Sequence, residues 1–117
     1  MPRTKIKLYA VEEQASTFGF KIPKGAIFLK ADMTFVRGSI LDPRSSEMRL
    51  VPGLWFEVDE EEPLQERIFT FIGTGQSVED FDELVYMDTI QNTIPGTHGD
   101  IKHFVYHLYE KPKAEAP

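Results

Sequence analysis

Cysteine is absent from the 117 residues, which excludes a disulfide framework, a zinc ribbon, a thiol nucleophile and a cysteine-ligated iron–sulfur cluster. Cationic side chains are outnumbered, 13 Lys and Arg against 19 Asp and Glu, for a formal charge of −6. That balance argues against the dense cationic face that releases counterions from duplex DNA or RNA. A small phosphorylated ligand needs only an Arg or two and some backbone N–H groups, so it stays open. No apolar run approaches the ~18 residues of a membrane span, and the opening Met-Pro-Arg-Thr-Lys-Ile-Lys has no apolar stretch fit for a signal peptide. The expectation is a soluble protein of the cytoplasm, with no membrane and no nucleic-acid polymer as partner.

Hydrophobic residues make up 41% and charged residues 27%, the composition of a folded domain rather than a disordered chain. The length suits one domain with a radius of gyration of roughly 13 Å. It is placed at 5–111, followed by a Pro- and charge-rich flexible tail at 112–117.

Helical periodicity is scarce and period two dominates. Ile6, Leu8 and Ala10 alternate with Lys5, Lys7 and Tyr9; Phe18, Phe20 and Ile22 alternate with Gly19 and Lys21 before a Pro23-Lys24-Gly25 turn. Residues 26–36 carry a mixed apolar run that predicts a bend or bulge. Residues 38–46 are a polar loop, and 48–59 a strand broken at Pro52-Gly53. An acidic turn at 59–63 leads to the strongest β run, 67–72, which Gly73-Thr74-Gly75 ends. The one plausible helix is 77–84, with Ser77 and Asp80 spaced like a capping box. Strands then follow at 85–93 and 103–110, around a polar hairpin loop at 95–100. About seven mostly antiparallel strands at such intervals predict an all-β sandwich or partly open barrel.

Several strands are apolar on both sides. Leu54, Phe56 and Val58 oppose Trp55 and Glu57; Ile68, Thr70 and Ile72 oppose Arg67, Phe69 and Phe71; Phe104, Tyr106 and Leu108 oppose His103, Val105, His107 and Tyr109. If Ile68 and Ile72 fill the core, Arg67, Phe69 and Phe71 are left for a ligand or partner. Uncovered apolar faces mark interaction surfaces, which points to a homo-oligomer, a dimer or tetramer. The alternative is a barrel or long loop that covers both faces within one chain.

No constellation argues for an enzyme. His103 and His107 have a helical chelating interval, but on a strand rising roughly 3.3 Å per residue they stand roughly 13 Å apart. No metal and no cofactor are expected, and activity should survive a chelator. The carboxylate runs 57–62 and 79–83 read as solvated loops before they read as acid/base pairs. Gly73-Thr74-Gly75 leaving a strand could point N–H groups at an anion, or simply make a tight turn; it lacks the Lys of a phosphate-binding Walker loop. Trp55, Phe69, Phe71, Tyr86, Tyr106 and Tyr109 could stack on bases, and Arg49 and Arg67 could grip phosphate.

Five segments add a resemblance: Ile22-Pro23-Lys24-Gly25-Ala26; Leu54-Trp55 with Val58-Asp59; Glu66-Arg67-Ile68-Phe69 running into Gly73-Thr74-Gly75; Tyr86-Met87-Asp88-Thr89-Ile90-Gln91; and Phe104-Val105-Tyr106-His107-Leu108-Tyr109-Glu110. In order and spacing they resemble a family of short β-rich phage proteins of largely unknown function. In size and expected assembly that family is similar to viral cyclic-dinucleotide sponges, the anti-CBASS proteins. The resemblance implies a non-enzymatic immune-evasion protein of the host-cell cytoplasm, holding a cyclic nucleotide at a subunit interface. Trp55, Phe69 or Tyr106 would stack on bases, Arg67 or Arg49 would meet phosphate, Gly73, Thr74 and Gly75 would donate N–H groups, and Gln91 or Thr89 would read a base edge. The rivals are a module docking a host or virion protein and, behind it, a phosphodiesterase-like enzyme.

Overall fold

The computed structural model describes residues 4–12, 16–38, 44, 46–76, 83–95, 99 and 101–112. They form seven strands: β1 (Thr4–Ala10), β2 (Thr17–Pro23), β3 (Ile27–Arg37), β4 (Met48–Asp59), β5 (Leu64–Gly73), β6 (Val85–Pro95) and β7 (Ile101–Lys111). All pairings are antiparallel, in a three-stranded sheet of order β1-β4-β3 and a four-stranded sheet of order β2-β5-β7-β6. This is the all-β, seven-stranded architecture that the alternation predicts, laid out as a sandwich without barrel closure. Among the described residues there is no helix, and none long and apolar enough to cross a membrane. Of the helix expected at 77–84, residues 77–82 lie outside the described residues. Glu83, at φ 72°, is in a turn that leads into β6. Of the tail expected at 112–117, residues 113–117 lie outside the described residues, as does most of the 38–46 loop.

The last of the three sheet changes comes at the acidic turn. Asp59 caps it with its own carboxylate, accepting from the Glu61 N–H at 3.0 Å, while its carbonyl accepts from Glu62 at 3.1 Å. The chain thus leaves β4 in one sheet and enters β5 in the other.

Pro52-Gly53 does not break β4, contrary to the expectation. In an antiparallel ladder a residue's N–H and C=O point to the same neighbour. The Pro52 carbonyl accepts from Val11 N–H at 2.8 Å, just past the last β1–β4 pair, Ala10↔Gly53. The missing Pro N–H therefore falls where β1 has ended, and no ladder bond is lost. Gly53 answers a close approach: a Cβ there would lie 2.8 Å from Leu8 Cδ1 and 2.9 Å from Thr34 Cγ2.

The core lies between the sheets. Leu54, Phe56 and Val58 of β4 are fully buried against Phe18 and Ile22 of β2, Phe69 of β5, Ile90 of β6 and Leu108 of β7. The β5 faces are thus the reverse of the expectation. Phe69 belongs to the central cluster, with Phe71 packed against it, while Ile68, Thr70 and Ile72, of the opposite parity, lie outside that cluster, although Thr70 and Ile72 are only 4% exposed. Burying a side chain such as Phe69 contributes about 2–3 kcal/mol, and its ring stacks on Phe18 at 5.8 Å. That face is the inside of the protein, not one left over.

The sheets meet edge to edge at β3 and β6. Each strand has an irregularity there, between Phe28 and Lys30 (within the run expected to bend) and between Tyr86 and Asp88. The second turns Asp88 toward the other sheet, where its carboxylate accepts from Ala31 N–H at 2.9 Å. The radius of gyration is 16.1 Å with extents of 53 × 40 × 25 Å, more elongated than the expected value because the long β3–β4 and β6–β7 hairpins project past the core.

Candidate functional site

Where the hairpins project, the sheets part and leave a cleft of about 430 Å³. From the four-stranded sheet, Ile90 and Asn92 of β6, Phe104 and Tyr106 of β7 and Phe71 of β5 line it. From the other side come Met33 of β3 and Pro52 of β4, with Val11, Ser16 and Gln76 at the rim. Period two explains the set: Asn92 shares the inward parity of Ile90, and Phe104 and Tyr106 share that of Leu108. Phe104 and Tyr106 are nearly coplanar in tilt, 6° apart with centroids at 6.2 Å, and Tyr106 meets Phe71 edge-on at 6.2 Å. Tyr106 remains 42% exposed, so an aromatic surface lies open beside the amide of Asn92 and the polar ends of Gln76 and Ser16.

A second hollow, of about 440 Å³, adjoins the first and shares Gln76, Phe104 and Tyr106 with it. It lies where β5 ends at Gly73↔Tyr106 while β7 continues toward His103.

The structure brings together only part of the set read from sequence. Tyr106, Gly73 and Thr74 converge on these two hollows. The glycine turn, however, is already occupied: Gly73 N–H donates to Gln76 Oε1 at 2.6 Å, and Gln76 N–H returns to the Gly73 carbonyl at 3.1 Å. Gly75, at φ 92°, supplies the left-handed corner of that turn.

Arg67 and Phe69 are inside the sandwich. The Arg67 guanidinium lies over the rings of Phe56 and Phe69, at 4.9 and 5.9 Å, and forks onto Glu110 at 2.5 and 2.6 Å. Its third bond goes to the Ala26 carbonyl at 3.0 Å. Five N–H donors on one plane make such a bidentate grip strong, and it takes the groups a phosphate would need. The Glu110 carboxylate thus fills the place expected for a phosphate. Arg49 donates to the Gly38 carbonyl at 2.5 Å and to Glu12 at 2.7 Å, closing the base of the β3–β4 hairpin.

Trp55 lies half-buried on the outer face of the three-stranded sheet, and Gln91 is exposed on the outer face of the other. Thr89, on the same face as Gln91, belongs to a chain of side chains: Tyr86 Oη meets Thr89 Oγ1 at 2.5 Å, Thr89 Oγ1 meets His107 Nδ1 at 3.0 Å, and His107 Nε2 meets Thr74 Oγ1 at 3.2 Å. His103 and His107 share that outer face, and among the described residues no group of three or more His, Asp or Glu is placed to hold a metal ion.

Asn92, Gln76, Phe104 and Ser16 were passed over in the sequence. Parity with Ile90 was the signal available for Asn92 over Gln91; the folding-back of Gln76 onto Gly73 had none.

A family profile described as a domain of unknown function, DUF7352, matches residues 3–117, nearly the whole chain. No curated protein matches, and no solved structure does.

Proposed function

The chain belongs to the DUF7352 family, whose description carries no activity, and we propose that it is a non-enzymatic binding protein whose inter-sheet cleft takes a flat, weakly charged ring such as a nucleobase. The observation that carries this reading is the open Phe104–Tyr106 surface beside Asn92, Gln76 and Ser16. A ring laid on Tyr106 gains about 1–3 kcal/mol of stacking per base, and amide and hydroxyl groups at the rim can meet a base edge. The cleft volume falls in the range of small-molecule sites.

No charged side chain lines the cleft among the described residues, so a ligand's phosphates would stay at its mouth in water. Binding by this route depends weakly on salt. A cyclic nucleotide remains the first ligand class to test, on the strength of the resemblance in sequence. Sequestration of an immune signal in a host cytoplasm is the extension of this reading that the same resemblance supports.

Calorimetric titration of the protein with nucleosides, mononucleotides and cyclic mono- and dinucleotides tests it. The expected result is binding of at least one base-containing ligand, recovered chemically intact after the protein is denatured, with affinity lowered tenfold or more in Tyr106→Ala. Altered ligand would mean an enzyme. Absence of any binding at millimolar ligand would overturn the reading.

A further inference from the structure

The outer face of the β1-β4-β3 sheet is built of rows that can be read across the strands. Ile6, Glu57 and Ile27 form one row, Leu8, Trp55 and Lys30 the next, and Ala10, Gly53 and Asp32 the third. Ile6 is 67% exposed, Ile27 59% and Leu8 39%, and no described segment of the chain lies over them. Gly53 gives the patch its flatness, because without a Cβ it lets Leu8, Thr34 and the Trp55 ring close over the backbone.

From these rows we propose that this face binds the same face of a second copy of the chain, sheet on sheet, about a twofold axis. One observation favours a second copy over a foreign partner, and another sets how tightly it can be held. The first is charge. Glu57 sits half-buried between the two isoleucines, and its hydrogen bond among the described residues is to the Thr4 hydroxyl, at 2.8 Å. Lys30, one row away, makes among the described residues an exposed pair with Asp32 at 3.3 Å. A twofold axis passing between Lys30 and Glu57 brings Lys30 of one copy toward Glu57 of the other, twice. The face thus carries its own complement.

The second is dimension. Seven paired residues along β1, at roughly 3.4 Å each, and three strands at roughly 4.8 Å give a flat footprint of about 340 Å² per copy before side-chain relief. Two such footprints come to about 680 Å² in all, below the ~1,000 Å² of a stable specific interface, so the pair is transient. The charge of −6 on each copy makes association stronger at 0.3 M than at 0.03 M salt, since screening reduces the repulsion between copies.

Sedimentation of the full chain from 5 to 300 µM tests this. The mass should rise toward twice the 13.4 kDa of one chain. Ile6→Lys combined with Ile27→Lys places cations beside Glu57 within the monomer, which keeps it folded, and should abolish the rise. Lys30→Glu should weaken self-association at least tenfold, and adding Glu57→Lys should restore it. Gln91→Lys, on the other sheet, should change nothing. A wild-type mass fixed at one chain through 300 µM, or a dimer that persists in the folded Ile6→Lys/Ile27→Lys variant, would overturn the proposal.

Discussion

The two sheets present outer faces of opposite character. On the four-stranded sheet, beside Ile68 and Ile72, the Thr17 and Thr70 hydroxyls pair at 3.0 Å, Tyr86, Thr89 and His107 are linked by hydrogen bonds, and the Tyr86 ring stands edge-on to Tyr109 at 5.6 Å. On the three-stranded sheet the corresponding positions hold Ile6, Leu8, Trp55 and Ile27. Both obey period two, so alternation by itself does not separate a face finished for water from one that is not. The difference lies in what each side chain can do with a neighbour. Hydroxyls and imidazoles satisfy each other across strands, whereas exposed isoleucines are satisfied only by cover.

That contrast holds only while the layer between the sheets is intact, and the largest expected effect falls there. Arg67 and Glu110 keep only 15% and 18% of their side chains exposed. Arg67→Ala leaves Glu110 without its cation in a poorly solvated place, a loss of about 3–5 kcal/mol. Denaturant titration should register it, with ligand affinity in the folded fraction nearly unchanged, because Arg67 does not line the cleft. A variant that keeps wild-type stability but loses binding would return Arg67 to the site.

Why β5 misled the sequence reading follows from that same pair. Ile68 and Ile72 oppose Phe69 and Phe71, two apolar sets of similar weight, and the Arg on the second set argues for an exposed face. What decides is Glu110, 43 residues away in sequence, together with the rings of Phe56 and Phe69, which give Arg67 a place inside. No local pattern encodes a partner at that distance. By contrast, the strands themselves, the Pro23-Gly25 turn, the end of β5 at Gly73 and the bulge in β3 were legible, because each is written within a few adjacent residues. The cleft was legible only in part. Tyr106 is announced by its aromatic ring and Asn92 only by its parity with Ile90, while Gln76 reaches the cleft through a turn whose geometry composition does not display.

The faces can be compared directly through one glycine in each. A Cβ at Gly53 would meet Thr34 Cγ2, fixed one bond beyond its own Cβ, at 2.9 Å as well as Leu8 Cδ1 at 2.8 Å. A Cβ at Gly19, in β2, would meet the flexible end of Ile68 at 2.9 Å and nothing else closer than 3.5 Å. Gly53→Ala should cost about 1–3 kcal/mol through overpacking. Gly19→Ala should stay within about 0.5 kcal/mol of wild type, the range for a surface position that can adjust. Equal costs in thermal melts would mean that the Leu8–Thr34–Trp55 patch is not close-packed.

The smallest expected effect belongs to the inner edge of the three-stranded sheet. Tyr9 packs against Phe20 and Phe56 at 5.4 and 5.8 Å, and its hydroxyl is buried without a hydrogen-bond partner among the described residues. Leaving such a group unsatisfied costs about 1 kcal/mol or more, so Tyr9→Phe should raise stability by up to about 1 kcal/mol at neutral pH. Burial first, and the charge of Glu60 second, push the Tyr9 phenol above its ordinary value of 10.0. A group whose value is raised on folding favours the native state in its protonated form. Its contribution is present below pH ~10 and is lost as the pH climbs through the raised value. Wild type should therefore fall further behind Tyr9→Phe between pH 9 and 11, and Glu60→Gln should narrow that gap by removing the second cause. Parallel melting curves for wild type and Tyr9→Phe across that interval would mean that the hydroxyl reaches water.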